Sequence, residues 1–326
     1  MKLLFQIPLL LAILALPASA TVTIDYVTIG DVGNAADTTG YGAVAYEYRI
    51  GKYEVTNAQY AEFLNAKAVT DTYALYNINM ASYGITRSGA SGSYTYSVTS
   101  GFENKPVVYV SWFDCARFSN WLANGQGSGD TETGSYYLNG ASTGLILAIA
   151  DAKVRLPTED EWYKSAYYNG TTSTYSLYPN GQNTITTADA NYDFSIGSLT
   201  NVGTYGGDPS LYGTFDQGGN VWEWNDAVIG SLRGLRGSSW NANVDYLASS
   251  NRTYSGPSGE GYGIGFRLAS VPEPSSLALT TLAAGTLLVH RKRRSASTRA
   301  SRISKAICAF CGHPFQFNNH TAHIRI

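Results

Sequence analysis

The sequence predicts a single compact α+β domain over residues 21–270, with few helices, short strands and much ordered loop. Three observations predict it. Three short segments carry helix start signals with an apolar stripe behind them. The stretches between them are rich in Gly, Ser, Thr and Tyr and hold only brief apolar runs. No repeat of 20–50 residues runs through the chain, which argues against a solenoid or propeller. The 326 residues could hold one large domain or two small ones, and 34 Gly with 25 Tyr and few charges suit an extracellular, loop-rich domain. An aromatic fraction of 13% argues against disorder.

Val22, Ile24, Tyr26 and Val27 read as a first short strand, and residues 49–55 (RIGKYEV) as a second. Thr56 is a good N-cap for a helix that places Tyr60, Phe63 and Leu64 on one face. Residues 66–104 show no long period and suggest irregular chain or short hairpins. Residues 106–110 (PVVYV) form a buried-strand candidate. Ser111 caps the next helix with Asp114 in the capping-box position, and Phe118, Trp121 and Leu122 form its stripe. Pro157, Thr158 and Glu161 start a third helix. In Gly218-Gly219-Asn220-Val221-Trp222-Glu223-Trp224 two tryptophans bring large apolar surfaces to bury. The carboxylate between them then needs solvent, hydrogen bonds or a cation.

The two ends read as addresses. Residues 1–20 have the parts of a signal peptide: Lys2, an apolar Leu3–Leu16 run and Ala18-Ser19-Ala20 for cleavage. A retained membrane helix fits less well, because the run is short and contains Pro8 and Pro17. At the other end, Pro272-Glu273-Pro274 precedes an apolar segment, Leu277–Val289, and the basic cluster Arg291-Lys292-Arg293-Arg294. This arrangement over residues 271–294 resembles the PEP-CTERM sorting signal of Gram-negative bacteria. The resemblance implies signal peptidase and exosortase as processing partners, a transmembrane helix, and passage through the inner membrane to the cell surface or matrix. Residues 295–326 read as a basic, disordered tail; Cys308, Cys311, His313, His320 and His323 match no common zinc spacing.

Residues 21–270 hold 23 Asp and Glu against 13 Lys and Arg, a net charge of −10. That acidity argues against nucleic-acid binding and is compatible with divalent cations. All four histidines lie at or beyond His290, which excludes a Ser-His-Asp triad, a Cys-His pair and a His-ligated zinc or iron site within the domain. Carboxylate-only chemistry stays open, although no carboxylate pair stands out.

Six blocks in order resemble the formylglycine-generating enzyme, or sulfatase-modifying-factor, family: Gly51–Asn57 with Tyr60 and Phe63, Pro106–Asp114, Arg155–Trp162, Gly219–Trp224, Arg236–Trp240 and Gly265–Arg267. The resemblance implies an irregular fold related to C-type lectins. It also implies an oxidase with two copper-binding cysteines, and here those positions hold Ala242 and Leu247. Neither supplies the thiolate that soft Cu(I) requires, so copper is not expected. Cys115 is expected to be a small buried core residue.

The same resemblance implies a structural calcium ion held by Asp216, the carbonyls of Gly219 and Val221, and Glu223, with capping of backbone amides as the alternative role of Glu223. A second site would use Asn191 and the Tyr192 carbonyl. The family's peptide cleft maps onto Ser239, Trp240, Asn241, Asn243, Arg252 and Tyr254, which are a ligand groove or plain surface loop. The expectation is a surface-delivered, non-catalytic module for an extracellular peptide or glycan. The alternative is a formylglycine-type oxidase or another enzyme acting on proteins in the same cleft.

Overall fold

The computed structural model describes residues 21–207 and 210–271. The expected signal peptide, sorting signal and basic tail lie outside the described residues. Among those described, no helix is long and apolar enough to cross a membrane.

The chain opens with β1 (Tyr26–Ile29) and β2 (Tyr48–Gly51), then α1 (Asn57–Lys67). A hairpin of β3 (Ile85–Ser88) and β4 (Thr95–Val98) precedes α2 (Trp112–Ala123). Next come β5 (Val154–Arg155), α3 (Glu159–Tyr167) and a small hairpin of β6 (Tyr168–Asn169) and β7 (Thr174–Tyr175). The last quarter supplies β8 (Trp222–Ile229), β9 (Leu232–Arg236), β10 (Thr253–Ser255), β11 (Ile264–Phe266) and β12 (Ala269–Ser270). Two four-stranded sheets organise these elements, in orders β1-β2-β12-β5 and β10-β9-β8-β11. All pairings are antiparallel except β11 with β8.

Each helix starts at a complete capping box. Thr56 with Gln59, Ser111 with Asp114, and Thr158 with Glu161 each exchange side-chain and backbone bonds. Such caps satisfy donors that the first helical turn leaves orphaned and contribute about 1 kcal/mol each. In α3, Glu159, Asp160 and Glu161 also face the positive end of the helix dipole. The core forms where α1 meets α2. Phe63 lies 5.3 Å from Trp121 and 5.4 Å from Phe118, whose ring is 5.5 Å from Phe266 on β11. Cys115 is fully buried in this cluster, as expected.

Three expectations need correction. Residues 106–110 are not a strand, although Val107, Val108 and Val110 are buried. Tyr109 takes a left-handed φ of 60°, so the segment bonds first to Val55 and then to Gly261 instead of running along one partner. The first strand starts at Tyr26, later than the apolar residues suggested. Leu122 is only half-buried.

Candidate functional site

The carboxylate of Glu223 is the hub of the buried region. On β8 it sits between β9, where Arg236 is its register partner, and β11, where Gly265 is. Arg267, just past β11, donates from Nε to Oε2 and from Nη2 to Oε1, each at 2.6 Å. Trp162 of α3 donates to Oε2 at 2.7 Å. The same guanidinium reaches the carbonyls of Gly51 at 2.9 Å and Phe215 at 2.8 Å, so one ion ties together β2, β8 and the strand end at 266. Glu223, Arg267 and Trp162 are all fully buried.

Two further acids share this guanidinium. Glu54 accepts from Asn220 Nδ2 at 3.0 Å through Oε1, while its Oε2 lies 4.0 Å from Arg267 Nη2 and has no hydrogen-bond partner. Burial, with the nearby charge of Asp216, pushes the Glu54 carboxyl well above the usual range. Burial likewise raises Asp216 to about 6, against the Gly203 N–H that donates to it at 2.6 Å.

This geometry tests the calcium expectation. The indole N–H of Trp162 and two N–H groups of the Arg267 guanidinium already occupy and neutralise the Glu223 carboxylate. A calcium ion there would need those oxygens while facing a fixed positive charge. The set Asp216, Gly219, Val221 and Glu223 therefore does not fit the ion in this arrangement. Asn191 is different: its Nδ2 donates to Ser198 O and Asn220 Oδ1, while its buried Oδ1 has no partner. An orphaned amide oxygen suits a hard cation, and the neighbouring Tyr192 is also buried.

Asn220 is the residue that the sequence reading missed. It takes a left-handed φ of 57° and uses every polar group it has. Its N–H donates to Asn191 O, its carbonyl accepts from Trp240 N, and its Oδ1 accepts from Asn191 and Thr200. Gly219 permits this approach, because at φ 83° a Cβ would stand 2.2 Å from Asn191 O. An Asn after two glycines was the available signal, since Asn tolerates left-handed backbone better than most residues.

The segment after β9 carries the mapped cleft. Ser239 is buried and donates to Asn241 Oδ1 at 2.8 Å, and Asn241 Nδ2 donates to the Tyr262 hydroxyl at 3.0 Å. Trp240 is half-buried, with its ring 6.0 Å from Tyr262 and 5.5 Å from Phe194. Asn243 instead caps a short 3-10 turn, Val244–Leu247. Arg252 pairs with Glu159 at 2.6 Å beside Arg236 and Tyr41, and Tyr254 is exposed on β10. The structure thus joins Ser239, Trp240 and Asn241 with Tyr262 and Phe194, and gives Asn243 and Arg252 other work. Of the two mapped thiol positions, Ala242 is half-buried and Leu247 is fully buried against Ala190 and Tyr192. Burial also pushes the Cys115 thiol far above its usual range.

An irregular α+β domain in which a WEW strand, an Arg-Gly-x-Ser-Trp turn and a Gly-Phe-Arg strand meet at one buried ion pair has the fold of sulfatase-modifying factors. Residues 33–271 match the model of the sulfatase-modifying factor enzyme 1-like domain, and the chain belongs to that family. Among characterised proteins it is similar to hercynine oxygenase of Mycobacterium tuberculosis, 24% identical over 251 residues. That match takes in 68% of this chain and about half, 52%, of the relative. Among solved structures, Treponema denticola variable protein 1 superposes with a TM-score of 0.54 at 24% identity, over 78% of this chain and 97% of that one. CarF gives a TM-score of 0.54 at 23% identity, over 78% and 100%. At these identities the two structures speak for the fold alone.

Proposed function

We propose that this chain is an exported sulfatase-modifying-factor domain that binds an extracellular ligand and performs no oxidation. One observation carries the reading: the position mapped to the second copper thiol holds Leu247, which is 0% exposed and packed in the core. Ala242 supplies no thiolate at the first position, and the thiol of Cys115 is buried among aromatic rings. No histidine occurs in the described residues, so an iron site built on imidazole has no ligands here. What the segment leaves partly open is the half-buried indole of Trp240 and the amide of Asn241, beside two exposed rings. Aromatic faces with a few placed polar groups make a binding surface.

The remaining parts of the reading follow from residues already described. The Pro-Glu-Pro signal with its basic cluster supports delivery to the cell surface through signal peptidase and exosortase. Calcium belongs to this proposal as a structural ion near Asn191, held by its Oδ1 and the Tyr192 carbonyl. The acidic domain makes nucleic acid a poor partner.

The test is direct. The purified exported protein, given Cu(I), oxygen and a Cys-x-Pro-x-Arg peptide, should leave the cysteine unmodified by mass spectrometry. Formylglycine in that peptide would overturn the proposal. Intact-mass analysis of the exported protein should give an N-terminus at Thr21 and no material beyond the Pro-Glu-Pro region. Recovery of the chain with Met1 in the cytosol would defeat the export reading.

A further inference from the structure

A row of aromatic rings crosses the face that carries Trp240. The rings come from five separate segments. Phe194 and Trp240 are 5.5 Å apart at 85°, and Trp240 and Tyr262 are 6.0 Å apart at 60°. Tyr83 and Tyr109 add a further pair, 5.4 Å apart at 62°. The Tyr109 N–H donates to Gly261 O, which places that pair beside Tyr262. Trp240, Tyr83 and Tyr109 rest on a common buried base of Val108, Leu199 and Val221. In such contacts the edge of one ring meets the face of the next; the two outer rings stay open to solvent, Phe194 at 60% and Tyr262 at 43% exposure.

Two of these rings are held in conformations that bulky side chains avoid. Phe194 has φ 56° and Tyr109 has φ 60°. A left-handed backbone costs an L-residue about 1–2 kcal/mol. Phe194 recovers little of that by burial, since it stays 60% exposed. It is kept there by backbone bonds from Asp193 N to Ala242 O and from Phe194 N to Trp240 O. Strain of this kind persists where the surroundings over-determine it, and it gathers at binding sites.

We infer that this aromatic row binds a neutral glycan chain by stacking pyranose faces on Phe194 and Tyr262, with Asn241 and the Tyr262 hydroxyl bonding to sugar hydroxyls. The inference rests on the ligand-binding reading above and names the ligand class. Charge selects a neutral chain: the domain carries −10, and no Lys or Arg is among the residues of the row. Polyanionic glycans would meet repulsion without a compensating cation. Peptide recognition by strand addition is disfavoured, because the backbone beside the row is already paired. Gly261 O, Gly263 O and Phe266 O accept from Tyr109, Trp222 and Val55.

The exported protein should be run on native gels containing hydroxyethyl cellulose, yeast mannan or alginate, and panned against a displayed random peptide library. The expected result is retardation by a neutral polysaccharide but not by alginate, weakened at least tenfold in Phe194→Ala and Tyr262→Ala at unchanged melting temperature. Failure of both neutral polysaccharides, stronger retardation by alginate, or retardation that both variants leave intact overturns the glycan assignment. Peptide ligands lost in Phe194→Ala, with no glycan bound, would overturn it while the ligand-binding reading stands. Neither glycan nor peptide ligands would overturn both.

Discussion

Replacing Glu223 by Gln should redistribute charge inside the domain, and the redistribution can be measured. The change keeps the shape and leaves an acceptor for Trp162, but it removes the anion that Arg267 grips with two bonds of 2.6 Å. Unpairing a buried charge costs about 3–5 kcal/mol. Glu54 limits the loss here. Its free Oε2 is 4.0 Å from Arg267 Nη2, and burial pushes its carboxyl well above the usual range. Once Glu223 is neutral, Glu54 ionises in its place, with a gross attraction of about 4 kcal/mol at an effective dielectric of 20. Part of that gain is spent on desolvating the new charge. Glu223→Gln should therefore cost about 2 kcal/mol, and Glu54→Gln alone under 1, on the usual scale of buried-group substitutions. The double variant should lose about 4–5 kcal/mol, because only Asp216, whose carboxylate is bonded to Gly203 N, then faces the guanidinium. Urea unfolding at pH 7, followed by tryptophan fluorescence with a shared m-value, reads all three. If Glu54→Gln costs no more beside Gln at 223 than it does alone, the compensation argument is wrong.

Asp114 gives a pH dependence of defined sign. Burial raises its carboxyl to about 7 in spite of two bonds from Ser111. The folded value lies above the unfolded one, so its contribution is present below about pH 4 and is lost as pH rises through about 7, up to roughly 4 kcal/mol. Asp114→Asn should thus gain stability relative to wild type between pH 5 and 8, and parallel curves would refute this. Cys115, fully buried, should react with a thiol reagent only in denaturant; rapid labelling located at Cys115 by peptide mapping of the native protein would contradict its placement. If calcium sits at Asn191, chelation should lower the melting temperature of the wild type and of Glu223→Gln alike, but not of Asn191→Ala. A chelator shift that disappears with Glu223→Gln instead would return the ion to the strand-β8 site.

Much of the frame was legible because it is local. Caps such as Thr158 with Glu161 lie three residues apart, so the sequence displays both partners together. The Arg267–Glu223 bond joins residues 44 apart, and Trp162 reaches across 61, so no spacing pattern announces either. The WEW block did signal a carboxylate in need of partners, without saying that a guanidinium would be among them. Arg252 looked like part of a cleft, but Glu159 on α3 claims it. The aromatic row was invisible because its rings arrive from five segments with no common period. Left-handed φ values at Tyr109 and Phe194, which aim two of them, leave no mark in composition.

The pairing of β2 with β12 sets the order in which this domain can be finished. Arg267 reaches Gly51 across 216 residues, and Ala269 pairs with Ile50 two residues further on. A chain emerging N-terminus first presents Tyr48–Gly51 with one edge open until its final strand appears, and Glu223 waits equally long for its cation. Contacts so distant in sequence close slowly, and an open edge is an invitation to other chains. Completion is thus a single late event that closes the first sheet and the buried charge together. A nascent chain stopped before residue 267 should be a substrate for chaperones and proteases, however well α1, α2 and α3 have formed.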